Sequence, residues 1–129
     1  MISHTTIGTN DYTKAESFYD ELLPCFGGEK IFTSDRAVFW GFGENSSKLA
    51  ISKPFNGEPA SFGNGTMVAF TVDTVEKVEF LYNKAISLGG TSEGEPGERY
   101  DGLYYGAYFR DLDGNKFSIY HLLATTGKD

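Results

Sequence analysis

Cysteine is nearly absent. Cys25 stands alone in 129 residues, so neither an intramolecular disulfide nor a cysteine-based zinc cluster can form. That fits a reducing compartment, and a chain of this length buries a core without covalent staples. Cys25 itself reads as a small residue packed behind a helix end. Basic side chains are also few: 11 against 18 acidic ones give a formal charge of −7. A phosphate-binding surface draws on a basic excess, which argues against nucleic acid as a partner. No apolar run reaches the length of a bilayer span, and the first residues run directly into β-type sequence without a basic and then apolar leader. The expected location is the cytoplasm, with no membrane partner. Histidine is limited to His4 and His121.

What is present is a repeated pattern. Residues 2 to 9, rich in Thr and Ile, read as a strand with His4, Thr6 and Gly8 on one face. Thr13-Lys14-Ala15-Glu16 has capping-box form and opens a helix whose apolar stripe is Ala15, Phe18, Tyr19, Leu22 and Leu23. Pro24 and Gly27-Gly28 stop it. Strands follow at residues 29–33, 37–42 and 48–53, completing β-α-β-β-β.

Residues 54–65 contain several Gly and Pro and read as a linker. Beyond it a shift of 63 residues lays His4 on Met67, Ala15 on Val78, Tyr19 on Tyr82, Leu22 on Ala85 and Leu23 on Ile86. Asp73 before Thr74-Val75-Glu76 repeats the capping signal, and Gly89-Gly90 repeats the stop. Strands at 91–93, 103–110 and 116–123, the last two joined at Asp113-Gly114, complete a second unit. The organisation is one domain of two modules, residues 1–53 and 66–123, around the linker 54–65.

Three stretches carry a family resemblance: His4-Thr5-Thr6-Ile7-Gly8 with Phe18-Tyr19; Gly65-Thr66-Met67-Val68-Ala69-Phe70; and Tyr105-Gly106-Ala107-Tyr108-Phe109-Arg110-Asp111-Leu112-Asp113-Gly114-Asn115. In order and spacing, the chain resembles the glyoxalase, bleomycin-resistance and extradiol-dioxygenase superfamily, the vicinal-oxygen-chelate fold. The resemblance implies an α+β fold in which two tandem βαβββ modules form a curled mixed sheet around a cavity. It also implies a homodimer, since relatives close half-sheets across a two-fold axis and 16% of this chain is aromatic.

Metal-dependent members of that superfamily project His and Glu ligands from the first and last strands of each module. Here His4 matches the first ligand, Met67 its counterpart in the second module, and Ser118 the terminal carboxylate. The remaining position falls on Ala50 or a neighbour, with Lys48, Ala50 and Ser52 sharing one strand face. A thioether is a poor donor to Zn²⁺, Ni²⁺, Mn²⁺ or Fe²⁺, and a neutral hydroxyl supplies none of the negative charge of a Glu. The expectation is a site without metal or other cofactor.

Candidate ligand contacts are His4, Ala50, Met67 and Ser118 at the matched positions, with Tyr120 sharing the parity of Ser118. Trp40 and Tyr105 sit mid-strand in opposite modules and are the aromatics expected to line a cavity. Arg99 offers a bidentate clamp for a carboxylate, against its reading as a solvated loop residue. His121, of opposite parity to Ser118, reads as structural. Asp111-Leu112-Asp113-Gly114-Asn115 lacks the full register of a calcium loop and reads as a turn.

The leading expectation is a protein that binds a small organic molecule in a metal-free cup. A metal-dependent lyase, lactoylglutathione-lyase-like, or a dioxygenase is the alternative. A metal-independent enzyme using His4 or a tyrosine as general base is the second.

Overall fold

The structure is a computed structural model, and it describes residues 1–123. The chain forms β1 (His4–Gly8), α1 (Tyr12–Leu22), a 3-10 turn (Leu23–Phe26), β2 (Glu29–Thr33), β3 (Ala37–Gly41) and β4 (Lys48–Ser52). It then repeats with β5 (Val68–Thr71), α2 (Val75–Ser87), β6 (Thr91–Arg99), β7 (Tyr104–Arg110) and β8 (Lys116–Leu122). The strand orders are β1-β4-β3-β2 and β5-β8-β7-β6. In both sheets the first and last strands of the module pair in parallel and the other pairs are antiparallel. This is the expected α+β fold of two βαβββ modules.

Two compact units emerge, residues 1–64 with 112–115, and residues 65–111 with 116–123. In the first, α1 buries Ala15, Phe18, Tyr19 and Leu22; in the second, α2 buries Val78, Leu81, Tyr82 and Ala85. The 63-residue shift relates these four pairs one to one, so the two stripes are the same packing solution used twice.

The caps differ from the sequence reading. Asp11, not Thr13, caps α1, its side chain accepting from the Lys14 N–H at 3.1 Å. Thr74, not Asp73, caps α2, accepting from the Lys77 N–H at 3.1 Å. Asp73 instead pairs with the Lys77 ammonium at 3.1 Å. Asp11 and Thr74 are themselves 63 residues apart, so the repeat extends to the capping residues.

In the first unit the segment after β4 packs onto the end of β1. The Asn10 side chain takes both backbone groups of Ala60, accepting from its N–H at 2.7 Å and donating to its carbonyl at 3.1 Å. Ala60 lies over Gly8, where a Cβ would come within 3.0 Å of the alanine methyl. Asp113 accepts from the Asn10 N–H at 2.8 Å, and Asn115 donates to the Gly8 carbonyl at 3.0 Å. Residues 112–115 are thus part of a turn whose Asp113 and Asn115 side chains brace the end of β1 and the residue that follows it. Among the described residues no helix is long and apolar enough to cross a membrane.

Candidate functional site

Strand alternation gives each sheet one face under its helix and one open face. In the first unit the helix side takes Val38, Trp40, Leu49 and Ile51, all buried. Trp40 is only 1% exposed, donates from Nε1 to Asp20 of α1 at 3.2 Å, and packs against Tyr19. The expectation that Trp40 lines a cavity is therefore corrected: its parity points it into the core.

Phe39, its neighbour, lies on the open face with His4 and Phe32, ring centroids 4.9 and 5.8 Å away. His4 is exposed, with Ser3 Oγ 3.0 Å from its Nδ1. Ala50 sits fully buried between Thr6 and Phe39 in the register.

In the second unit the helix side takes Ala107, Phe109, Phe117 and Ile119. Tyr105 shares their parity. Its hydroxyl donates to Glu79 of α2 at 2.6 Å, which holds the phenol above its ordinary pKa, and it borders a groove of about 430 Å³ with Glu79, Glu95 and Pro96. Tyr105 therefore borders a groove on the helix side of the sheet and does not belong to the open face. His121 lies on the same side, its Nδ1 at 3.0 Å from the Val72 carbonyl.

The open face of this sheet carries a tyrosine cluster. Tyr104 and Tyr120 meet edge to face at 5.4 Å, and the Tyr104 and Tyr108 hydroxyls are joined by a short hydrogen bond. Tyr100 adds a ring 5.7 Å from Tyr104. Burial, and then the bond to Tyr108, push the Tyr104 phenol up to about 12, so it keeps its proton at neutral pH. Two cations lie close to Tyr108: the Arg99 guanidinium at 5.6 Å and the Lys116 ammonium at 5.5 Å from its ring centroid. Arg99 is a strand-end residue rather than a solvated loop residue, and donates to the backbone carbonyls of Glu95 at 2.7 Å and Glu98 at 3.4 Å. Ser118, 3% exposed, lies opposite Tyr108 and Ala69 on this face.

Tyr104 and Tyr108 were not among the residues singled out from sequence. The signal was present: a hairpin loop closed by Arg110 and Lys116 places Tyr108 opposite Ser118 and Gly106 opposite Tyr120. Counting back from that turn would have chosen Tyr104 and Tyr108 over Tyr105.

The positions matched to metal ligands hold an imidazole at His4, a methyl at Ala50, a thioether at Met67 and a neutral hydroxyl at Ser118. Met67 precedes β5 and is 45% exposed. Among the described residues no three His, Cys, Asp or Glu side chains group as metal ligands. This donor set does not fit a Lewis-acid metal, which needs several imidazole or carboxylate ligands.

Residues 1–119 match the description Glyoxalase/Bleomycin resistance protein/Dioxygenase superfamily. The chain is 35% identical to a glyoxalase/bleomycin resistance protein from Albidiferax ferrireducens T118, over 94% of this chain and 98% of that one, with a TM-score of 0.83. A lactoylglutathione lyase from Agrobacterium tumefaciens is 23% identical over 94% and 92%, with a TM-score of 0.67. A genomically encoded fosfomycin resistance protein from Listeria monocytogenes is 20% identical over 94% and 92%, with a TM-score of 0.71. The last two likenesses bear on the fold alone. No curated protein matches the chain.

Proposed function

Since the chain belongs to the glyoxalase/bleomycin resistance protein/dioxygenase superfamily, we propose that it binds a small organic molecule on the open face of its second sheet without a metal. The observation that carries this reading is the cluster of Tyr104, Tyr108 and Tyr120 with Arg99 on a face not used by α2. Flat aromatic surface next to a few fixed polar groups is the composition of a small-molecule site.

The residues at the ligand positions weigh against the lyase and dioxygenase alternatives, because they supply one good donor where such chemistry needs several. Tyr104 weighs against a tyrosine general base, since a phenol held near 12 gives up its proton only in strong alkali. Ala50, Met67, Ser118 and His4 enter the proposal as remnants of the family's ligand positions. Assembly as a homodimer in the cytoplasm belongs to the same proposal. The dimer is supported by the exposed apolar pair Ile31 and Phe32 on edge strand β2, and the location by the single cysteine.

Calorimetric titration of EDTA-treated protein with a panel of aromatic compounds tests the reading. At least one compound is expected to bind with an affinity unchanged by added Zn²⁺, Ni²⁺ or Mn²⁺, and Tyr104→Ala or Tyr120→Ala should weaken it about tenfold. Binding that requires metal, or that ignores both tyrosine replacements, would overturn it.

A further inference from the structure

Resting on the reading of this face as the ligand face, we propose that its ligand is an aromatic anion. The ring lies against Tyr104 and Tyr120, and its carboxylate is taken by Arg99, Lys116 and the free hydroxyl proton of the Tyr104–Tyr108 pair.

Much local structure serves to place Arg99. Strand β6 slips register between Ser92 and Gly94 and again between Gly94 and Gly97, and Gly94 faces Tyr108. A Cβ on Gly97 would stand 2.9 Å from Arg99 Nη1, and one on Gly94 3.3 Å from Nη2 and 3.0 Å from the Tyr108 ring. The guanidinium therefore lies in the space that two missing side chains leave. The turn that follows holds Tyr100 and Asp101 at φ of 53° and 55°, a region costly for residues other than glycine. Such strain clusters where a site over-determines its geometry.

Charge points the same way. A guanidinium has five N–H donors, of which two are engaged by Glu95 and Glu98 carbonyls, leaving three. Among the described residues neither Arg99 nor Lys116 forms an ion pair, while Glu93 pairs with Arg110 and Glu79 accepts from Tyr105. The Glu98 carboxylate turns toward Gly102. In a chain of formal charge −7, two uncompensated cations beside one ring mark a place for an anion.

The hydroxyl pair adds a further donor. One O–H donates to the other oxygen, so one proton remains for an outside acceptor, and a carboxylate is the strongest acceptor available. A cationic ligand would meet Arg99 and Lys116 with like charge, and a hydrocarbon would leave these donors unanswered.

Three probes of one shape separate the outcomes: naphthalene-2-carboxylate, naphthalene-2-carboxamide and 2-naphthylmethylammonium, each titrated while the amide resonances of Gly94, Gly97 and Gly106 are followed. The carboxylate is expected to bind about tenfold or more tightly than the carboxamide, with the ammonium weakest. Arg99→Gln should erase that preference and Arg99→Lys should keep part of it. Gly97→Ala should lower it as well, since the added methyl displaces the movable end of Arg99 at 2.9 Å and meets the Glu95 carbonyl only at an ordinary contact distance of 4.0 Å. Equal binding of carboxylate and carboxamide at these glycines would overturn the anion proposal while leaving the ligand face standing. If none of the probes moves these amides, the proposal and the ligand face fall together. A preference for the carboxylate that survives Arg99→Gln and Gly97→Ala would also overturn the assignment.

Discussion

Trp40→Phe separates a core role from a binding role. The indole is buried to 1% exposure, packs on Tyr19 and donates to Asp20 at 3.2 Å. Shortening the ring system leaves volume that the core only partly refills, which costs about 1–2 kcal/mol. The lost hydrogen bond adds about 1 kcal/mol, at the low end for a charged acceptor because Asp20 is 39% exposed and keeps its ion pair with Lys30. Together the loss is about 2–3 kcal/mol, which for a chain of this length lowers the melting temperature by about 6–12 °C. Scanning calorimetry reads that shift, and titration of the same variant with an aromatic ligand should return the unchanged affinity. Because Trp40 is the only tryptophan, acrylamide quenching of the native protein reports on it alone and should be weak. A variant that melts normally but loses binding would refute the assignment of Trp40 to the core.

Gly106→Ala should destabilise by about 1–3 kcal/mol, because the new Cβ would stand 2.9 Å from the Tyr104 ring and 3.1 Å from the Ile119 carbonyl, and the carbonyl cannot yield. A native melting temperature would show that Tyr104 does not lie across that glycine. The raised phenol of Tyr104 predicts alkaline destabilisation. The folded chain keeps this proton to about pH 12 while the unfolded chain loses it near 10. The contribution is thus complete below pH 10 and lost as pH rises through 12, amounting to about 1–2 kcal/mol after discounting for partial exposure. Tyr104→Phe should flatten the stability curve above pH 10, and an unaltered slope would contradict the assignment.

The helices and the repeat were legible because a buried stripe must recur with helical period, and four pairs of buried residues obey one shift. The caps were legible only through that repeat: Thr13 and Asp73 each satisfy a local capping rule, but only Asp11 and Thr74 satisfy it at equivalent places. Strand existence was clear and strand parity was not. Trp40 and Tyr105 were each one residue from the open face, where Phe39 and Tyr104 lie, because alternation exchanges faces with every residue and register comes from the partner strand. Arg99 was a candidate on sequence grounds, but its setting was not legible, since two register slips within β6 cannot be read from the residue types of that strand.

On the reading proposed above, the tyrosine face of the second sheet holds an organic ligand without metal. That reading is tested most directly by ring-labelled tyrosine NMR of EDTA-treated protein during titration with naphthalene-2-carboxylate. The Tyr104, Tyr108 and Tyr120 rings are expected to shift together and saturably, while Tyr19 and Tyr82, buried on the helices, stay in place. Shifts that appear only after a divalent metal is restored, or that fall on Tyr12 or Tyr105 while the cluster stays still, would contradict it.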